Sequence, residues 1–316
     1  MTPKQLKYFI EIARQLSFTK ASAILHVTQP ALSRQMQDLE ESLGVKLFTR
    51  SDSGISLTPA GRHLSERAPA LIEAARQVRQ DVAALADVPA GSLRFGITPS
   101  LCDLVTAPSV KAYTQQYPRV RLSVTEASST ELTELISSGA LDFAIVASTE
   151  STSRFSISPI LREPMCLAAR RGTWVSTEPV DPAELVGLDI VASRQPNALR
   201  RILDAAMSEA GSKATITLEA NSVKILTQAT ADGIGYCVLP YSALARMIAE
   251  GSLDARVVRS LSVNWSLLHV RNVAPTPSVI ALVNIIVDVA RTALDEGRWK
   301  GLDILPVNAS LGHGKN

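Results

Sequence analysis

Gln29, Ser33, Arg34 and Gln37 recur at spacings that set them along one face of a helix. Gln and Arg side chains make bidentate contacts with base edges in a major groove, and Ser adapts to bases or phosphates. On the opposite face Leu32, Met36, Leu39 and Leu43 follow gaps of four, three and four, an apolar stripe for packing. Thr28 is a suitable N-cap, Pro30 fits the first turn where its missing N–H costs nothing, and Gly44 offers a stop. Before this helix lies a shorter one, capped by Ser17 or Thr19, whose buried positions are predicted as Phe18, Ala21, Ala23 or Ile24, and Leu25. His26, Val27 and Thr28 break it. Two short helices about a tight turn, the second with a polar face, read as a DNA-reading helix-turn-helix. A solvated amphipathic helix would show the same polar face, so the flanking elements decide.

Upstream, Leu6, Phe9, Ile10 and Ala13 mark an amphipathic helix. Downstream, Lys46 to Arg50 and Ile55 to Leu57 predict two short strands about a Ser/Asp/Gly turn, a wing with Arg50 beside it. A long helix then starts at Thr58 and Pro59. Within it Leu64, Ala68, Leu71, Ala75, Val78, Val82 and Leu85 alternate gaps of four and three, a coiled-coil seam that predicts dimerisation. Packing on the chain's own domain is the competing reading, and Pro69 departs from an ideal helix. Val88-Pro89-Ala90-Gly91 reads as a hinge.

The run LKYFIEIARQLSFTKASAILHVTQPALSRQMQDLEESLGVKLFTR resembles the N-terminal domain of LysR-type transcriptional regulators almost residue for residue. The likeness includes Ala21 and Ala23, TQPALSRQ from Thr28, the Leu39-Glu40 pair, LGVKLF, Arg50, and the T-x-A-G of Thr58 to Gly61. It implies that Gln29, Pro30, Ser33, Arg34 and Arg50 touch DNA; with Thr28 and Gln37 from the helical face, these are the expected DNA contacts.

Charge does not identify a DNA binder: the net charge is +2, with eight basic against five acidic side chains in residues 1 to 63. Placement of a few charges, together with dimerisation, must then supply the affinity. Cys102, Cys166 and Cys237 are odd in number and form no C-x-x-C, so neither a disulfide framework nor a metal site is expected. Reduced buried thiols are the default; Cys102, near a probable helix start, is the one candidate for redox sensing. The N-terminus lacks a signal-peptide pattern, and no apolar run is read as spanning a membrane, which predicts a cytoplasmic protein.

The remaining chain alternates strand and helix signals in an α/β manner. Strands are predicted at 92 to 98, 120 to 126, 141 to 147, 188 to 193, 215 to 220 and 235 to 240. Helices are predicted near 101 to 116, 130 to 137, 197 to 209, 223 to 231 and 278 to 296, and the tail after Trp299 reads as disordered. The two similar halves suggest two lobes and a cleft. The expected organisation is a winged helix-turn-helix at 1–58, a linker helix at 59–88, and a two-lobed domain at 89–316. Lobe I would cover 92–162 and 268–296, and lobe II 163–267.

This layout, with GALDFAIV and ADGIGYCVLP, resembles the effector domain of the same family, whose two-lobed fold is shared with periplasmic binding proteins. The resemblance implies a small effector between the lobes. Corresponding positions are Thr98, Pro99, Ser100, Ser128, Ser129, Val146 and Ala147 from lobe I. From lobe II they are Gln195, Pro196, Asn197, Asn221 and Val223. Hydroxyls and N–H groups at helix starts favour an anionic ligand; ordinary helix capping is the alternative for each residue. The implied partners are double-stranded promoter DNA, the effector, a second copy of the chain as dimer or tetramer, and RNA polymerase, with no cofactor, metal or membrane. Effector binding would favour one lobe arrangement and so change how paired readers engage their operator.

Enzyme readings are weaker. Gly233-Ile234-Gly235 lacks the rest of a dinucleotide fingerprint, no P-loop or nucleophile elbow occurs, and His269 in an apolar strand reads as a core histidine. Two other readings remain: a constitutive architectural DNA binder, and a binding protein or enzyme that uses its N-terminal domain only to dimerise.

Overall fold

The computed structural model describes residues 1–51, 54–84, 89–148, 152–271 and 273–306. The chain forms two compact units, Met1–Leu85 and Ala86–Asn316.

In the first unit, α1 (Pro3–Gln15) begins with a capping box in which Thr2 and Gln5 satisfy each other's backbone N–H groups. It buries Leu6, Phe9 and Ile12. Next come α2 (Phe18–Ile24) and α3 (Gln29–Leu43). The pair β1 (Phe48–Ser51) and β2 (Gly54–Leu57) is antiparallel, with Phe48 opposite Leu57. Helix α4 (Pro59–Ala84) follows and continues through Pro69. Leu32, Met36 and Leu39 enter one core with Phe9, Ile12, Phe18, Leu47 and Ala68. Some expected core positions lie elsewhere: Ala23 and Ile24, the two alternatives for one place, are both exposed, and so is Leu43. Ser22 is buried instead, because its hydroxyl donates to the Thr19 carbonyl and so needs no water.

The second unit is built on β3 (Gly91–Ile97), a 3-10 turn at Pro99–Leu101, a π turn at Cys102–Thr106, α5 (Ala107–Gln116), β4 (Val120–Glu126), α6 (Ser129–Ser137) and β5 (Phe143–Ala147). Strand β3 pairs in parallel with both β4 and β5. This sheet is covered on both faces. Phe95, Ile97, Phe143 and Ile145 join the main core, whereas Ala144 and Val146 meet Leu132 and Ile136 of α6. The chain then crosses on β6 (Phe155–Arg170) into β7 (Asp189–Ala192), α7 (Ala198–Glu209), β8 (Thr215–Glu219), α8 (Val223–Ala231), β9 (Cys237–Pro240) and α9 (Tyr241–Ala249). It returns on β10 (Leu253–Val270), followed by α10 (Pro277–Asp295) and β11 (Asp303–Ile304). The fold is thus the expected winged helix-turn-helix and α/β two-lobed unit.

Several expectations are corrected. Strands β6 and β10, of 16 and 18 residues, pair antiparallel along their length and serve both lobes. Near Val257 to Ser262 their register breaks, and from Trp265 onward β10 pairs with β5. Residues 265–267 therefore pair with lobe I strands, although they were expected in lobe II. Helix α9 was not expected. Residues 300–306 of the tail, expected to be disordered, are ordered, since β11 pairs with β6 and Leu302 is buried; the rest of that expectation, residues 307–316, lies outside the described residues. Helix α10 is long and apolar enough to cross a membrane by length and composition. Its Val279, Leu282, Val283, Ile286 and Ala290 belong to the core of this unit.

Candidate nucleic-acid interface and effector cleft

The turn between α2 and α3 has a defined geometry. Val27 N–H donates to the Ser22 carbonyl and His26 N–H to that of Ala23, while His26 adopts φ 53°. This is a Schellman termination with histidine where glycine is usual. It presents α3 with Thr28, Gln29, Pro30, Arg34 and Gln37 exposed and Ser33 partly so. Thr28 stands at the N-cap but makes no capping bond, and Gln29 Nε2 lies 3.5 Å from Ser33 Oγ. Arg50 lies in β1 opposite Ile55, and its side chain is outside the described residues. The wing is held by Glu40 of α3. Its carboxylate accepts from the Leu47 N–H at 2.8 Å, the Phe48 N–H at 3.3 Å and Lys46 Nζ at 2.8 Å. Burial alone would raise the Glu40 carboxyl, but these three donors outweigh it and hold it below its ordinary value. Thr58 closes the other side: its hydroxyl donates to the Lys46 carbonyl and accepts from the Gly61 N–H. A Cβ at Gly61 would lie 2.1 Å from the Leu47 carbonyl oxygen, so only glycine fits.

Within the second unit the lobes enclose a cleft of about 840 Å³. Lobe I contributes the C-terminal ends of its parallel strands: Thr98 and Ser100 after β3, Glu126 to Thr130 after β4, and Ala147 at the end of β5. Lobe II contributes Ser193 to Leu199 after β7, Asn221 to Lys224 after β8, and Ala243, Arg246 and Met247 of α9, with Trp265 on the floor. Ligands of open α/β sheets bind in this kind of position. Many of the polar groups are already engaged. Ser128 and Glu131 form a capping box, Asn197 Oδ1 accepts from two N–H groups of α7, and Ser129 Oγ accepts from the Ala147 N–H. Among the described residues, Thr130 Oγ1 lies 3.4 Å from the Pro196 carbonyl across the cleft, and Asp103 lies 3.4 Å from Arg246. Thr98 Oγ1 differs: it is buried and has no hydrogen-bond partner among the described residues.

Residues 86–291 match the family described as LysR substrate binding domain, and residues 3–62 match the bacterial regulatory helix-turn-helix protein, lysR family. The chain belongs to the LysR family. It is 28% identical to the transcriptional regulator BbuR of Bordetella bronchiseptica over 299 residues, covering 94% of this chain and 92% of that protein. It is 27% identical to the nitrogen assimilation regulatory protein of Klebsiella aerogenes, covering 93% and 97%. Among solved structures, a full-length OxyR variant from Pseudomonas aeruginosa superposes with a TM-score of 0.69 at 24% identity, covering 92% and 95%. CbnR in complex with its target DNA gives 0.60 at 22%, covering 93% and 100%.

As a LysR-type transcriptional regulator, the protein couples the helix-turn-helix to a small-molecule effector domain. The cleft brings together Thr98, Pro99, Ser100, Ser128, Ser129, Ala147, Gln195, Pro196, Asn197, Asn221 and Val223. Val146 is the exception. Strand alternation turns it to the opposite face, where it is 1% exposed beside α6. Gln195 reaches the cleft, but its amide donates to Asp204. Sequence reasoning missed Arg194 and Lys224 beside predicted positions, Asp103 and Glu126, and the α9 side chains. The helical periodicity of YSALARMIAEG, ending in glycine, was the available signal for α9.

Burial, then the charge and hydrogen bond of Glu126 and the charge of Asp103, push the Cys102 thiol up, a direction that disfavours a thiolate. Burial likewise holds Cys166 and Cys237 at about 12. His269 has Nδ1 3.0 Å from the Val270 carbonyl, and burial lowers its pKa.

Proposed function

We propose that this LysR-type regulator binds a small anionic effector in the cleft, and that it reads a two-half-site operator as a dimer joined through α4. The observation that carries the effector reading is Thr98 Oγ1, a hydroxyl 6% exposed at residue level and unpartnered at the end of β3. A buried polar atom without a partner is costly, so a ligand oxygen that meets it adds a hydrogen bond the chain cannot supply. From the other lobe Arg194 and Lys224 face the same cleft as exposed cations. Together they favour a carboxylate or other oxyanion. For the dimer, Leu71 and Val78 of the α4 seam are 43% and 60% exposed in the single chain, an apolar stripe suited to a second copy. Thr28, Gln29, Pro30, Ser33, Arg34, Gln37 and Arg50 are the proposed DNA contacts.

The deciding experiment is a thermal-shift titration of the full chain with a panel of small mono- and dicarboxylates and oxyanions. At least one should raise the melting midpoint of the native protein and leave the Thr98→Val variant unchanged. Stabilisation by cationic or neutral compounds alone would overturn the anion reading.

A further inference from the structure

Glu163 is a carboxylate with 1% exposure, and among the described residues no Lys, Arg or His forms an ion pair with it. Four donors surround it instead. Oε1 accepts from Ser242 Oγ at 2.6 Å and Trp265 Nε1 at 2.5 Å; Oε2 accepts from the Ser242 N–H at 2.8 Å and Trp299 Nε1 at 2.8 Å. Trp265, Trp299 and Ser242 are themselves buried. The three residues that supply these donors belong to different parts of the domain. Ser242 lies in the first turn of α9, Trp265 is in β10 on the cleft floor, and Trp299 follows α10. Glu163 itself lies on β6 beside the register break where the strands change lobes.

The rest of α9 carries the consequence into the cleft. Its Ala243, Arg246 and Met247 line the wall, it packs against the 3-10 and π turns of lobe I, and Arg246 reaches Asp103 next to Cys102. The C-terminal segment is tied to the same strand: β11 pairs with Arg162 and Leu161, and the Leu305 N–H donates to the Ile160 carbonyl.

We propose that Glu163 is a positioning residue that fixes α9 and Trp265 against the cleft and makes their placement depend on the C-terminal Trp299 segment. The cleft wall is thereby set by a group outside the cleft. A carboxylate offering two acceptor oxygens can take all four donors, whereas an amide must turn a donor of its own toward one pair. The residues after α10 thus act as part of the sensor.

The test uses the full chain and the thiol of Cys102, which is partly exposed at the cleft while Cys166 and Cys237 are buried. Reaction with dithionitrobenzoate is followed at fixed pH, well below the unfolding temperature. In Glu163→Gln and in Trp299→Phe the Cys102 rate should rise about fivefold or more, because local opening controls access to a shielded thiol. The other two thiols should stay unreactive. The double variant should be no faster than the faster single variant, since both break one network. A carboxylate that only stabilises the fold would lower the melting midpoint and leave the Cys102 rate unchanged, which overturns the proposal. If Glu163→Gln unfolds and all three thiols react together, Trp299→Phe and Ser242→Ala decide: a selective rise at Cys102 supports the proposal, and no rise in either refutes it.

Discussion

The Glu40 carboxylate accepts the Leu47 N–H at 2.8 Å, which joins the recognition helix to the first wing strand. Hydrogen bonds to a charged acceptor contribute about 1.5 to 3 kcal/mol. Glu40→Ala should therefore destabilise the first unit by about 2 kcal/mol and weaken operator binding, both measurable by urea titration and gel shift. Because the folded carboxyl titrates below its ordinary 4.5, this contribution is present above that pH and is lost as pH falls through the lower folded value. The variant should flatten the acid limb of the stability profile; an acid limb identical to that of the native protein would argue against the assignment.

Gly61→Ala tests the second clasp of the wing. The new methyl would meet the Leu47 carbonyl oxygen, a backbone atom that cannot rotate away. Overpacking of this kind costs roughly 1 to 3 kcal/mol. Denaturant unfolding should show a loss in that range; an unaltered midpoint would mean that α4 starts further from the wing.

His26→Gly should act in the opposite direction. His26 is exposed and held at φ 53°, a region that L side chains occupy at a cost. Glycine relieves that strain, and a gain of up to about 1 kcal/mol is expected from calorimetry of the first unit's transition.

Arg34→Ala and Gln29→Ala test the DNA contacts proposed for α3. Loss of a base-edge contact should cost about 1 to 3 kcal/mol and relax sequence preference, whereas loss of one phosphate contact should reduce the salt slope by about one. Competition assays with specific and random DNA at several salt concentrations measure both. Undiminished, equally specific binding by both variants would remove α3 as the reader.

Thr98→Val should uncouple stability from sensing. The hydroxyl has no partner among the described residues, so its removal should leave the ligand-free melting midpoint unchanged or raised while abolishing the anion-induced shift. A marked loss of stability without ligand would show that the hydroxyl has a structural role.

Much of this was legible along the chain. Apolar gaps of three and four predicted α3, and Thr28, Pro30 and Gly44 marked its bounds: Thr28 holds the N-cap position without a capping bond, Pro30 needs no N–H partner in the first turn, and Gly44 takes the left-handed conformation that ends the helix. Strand ends and helix caps likewise located most of the cleft. The errors share a cause. Val146 and Ala147 are both apolar and adjacent, and which one faces the cleft depends on the phase of β5 against α6. Ser22 is buried where Ala23 or Ile24 was expected, because burial of a serine depends on a bond to a neighbouring carbonyl.

The sequence by itself determined the paired helices, the wing, the linker helix and the two-lobed repeat, because each follows from contacts within a turn or between adjacent segments. Tertiary structure alone decided which atoms were left without partners and which met across the lobes. Glu163 gathers donors 79, 102 and 136 residues away, and Thr98 Oγ1 has none among the described residues. No local period encodes either result. Both depend on how β6 and β10 cross between the lobes, and the register of two long strands is set by the packing of everything attached to them.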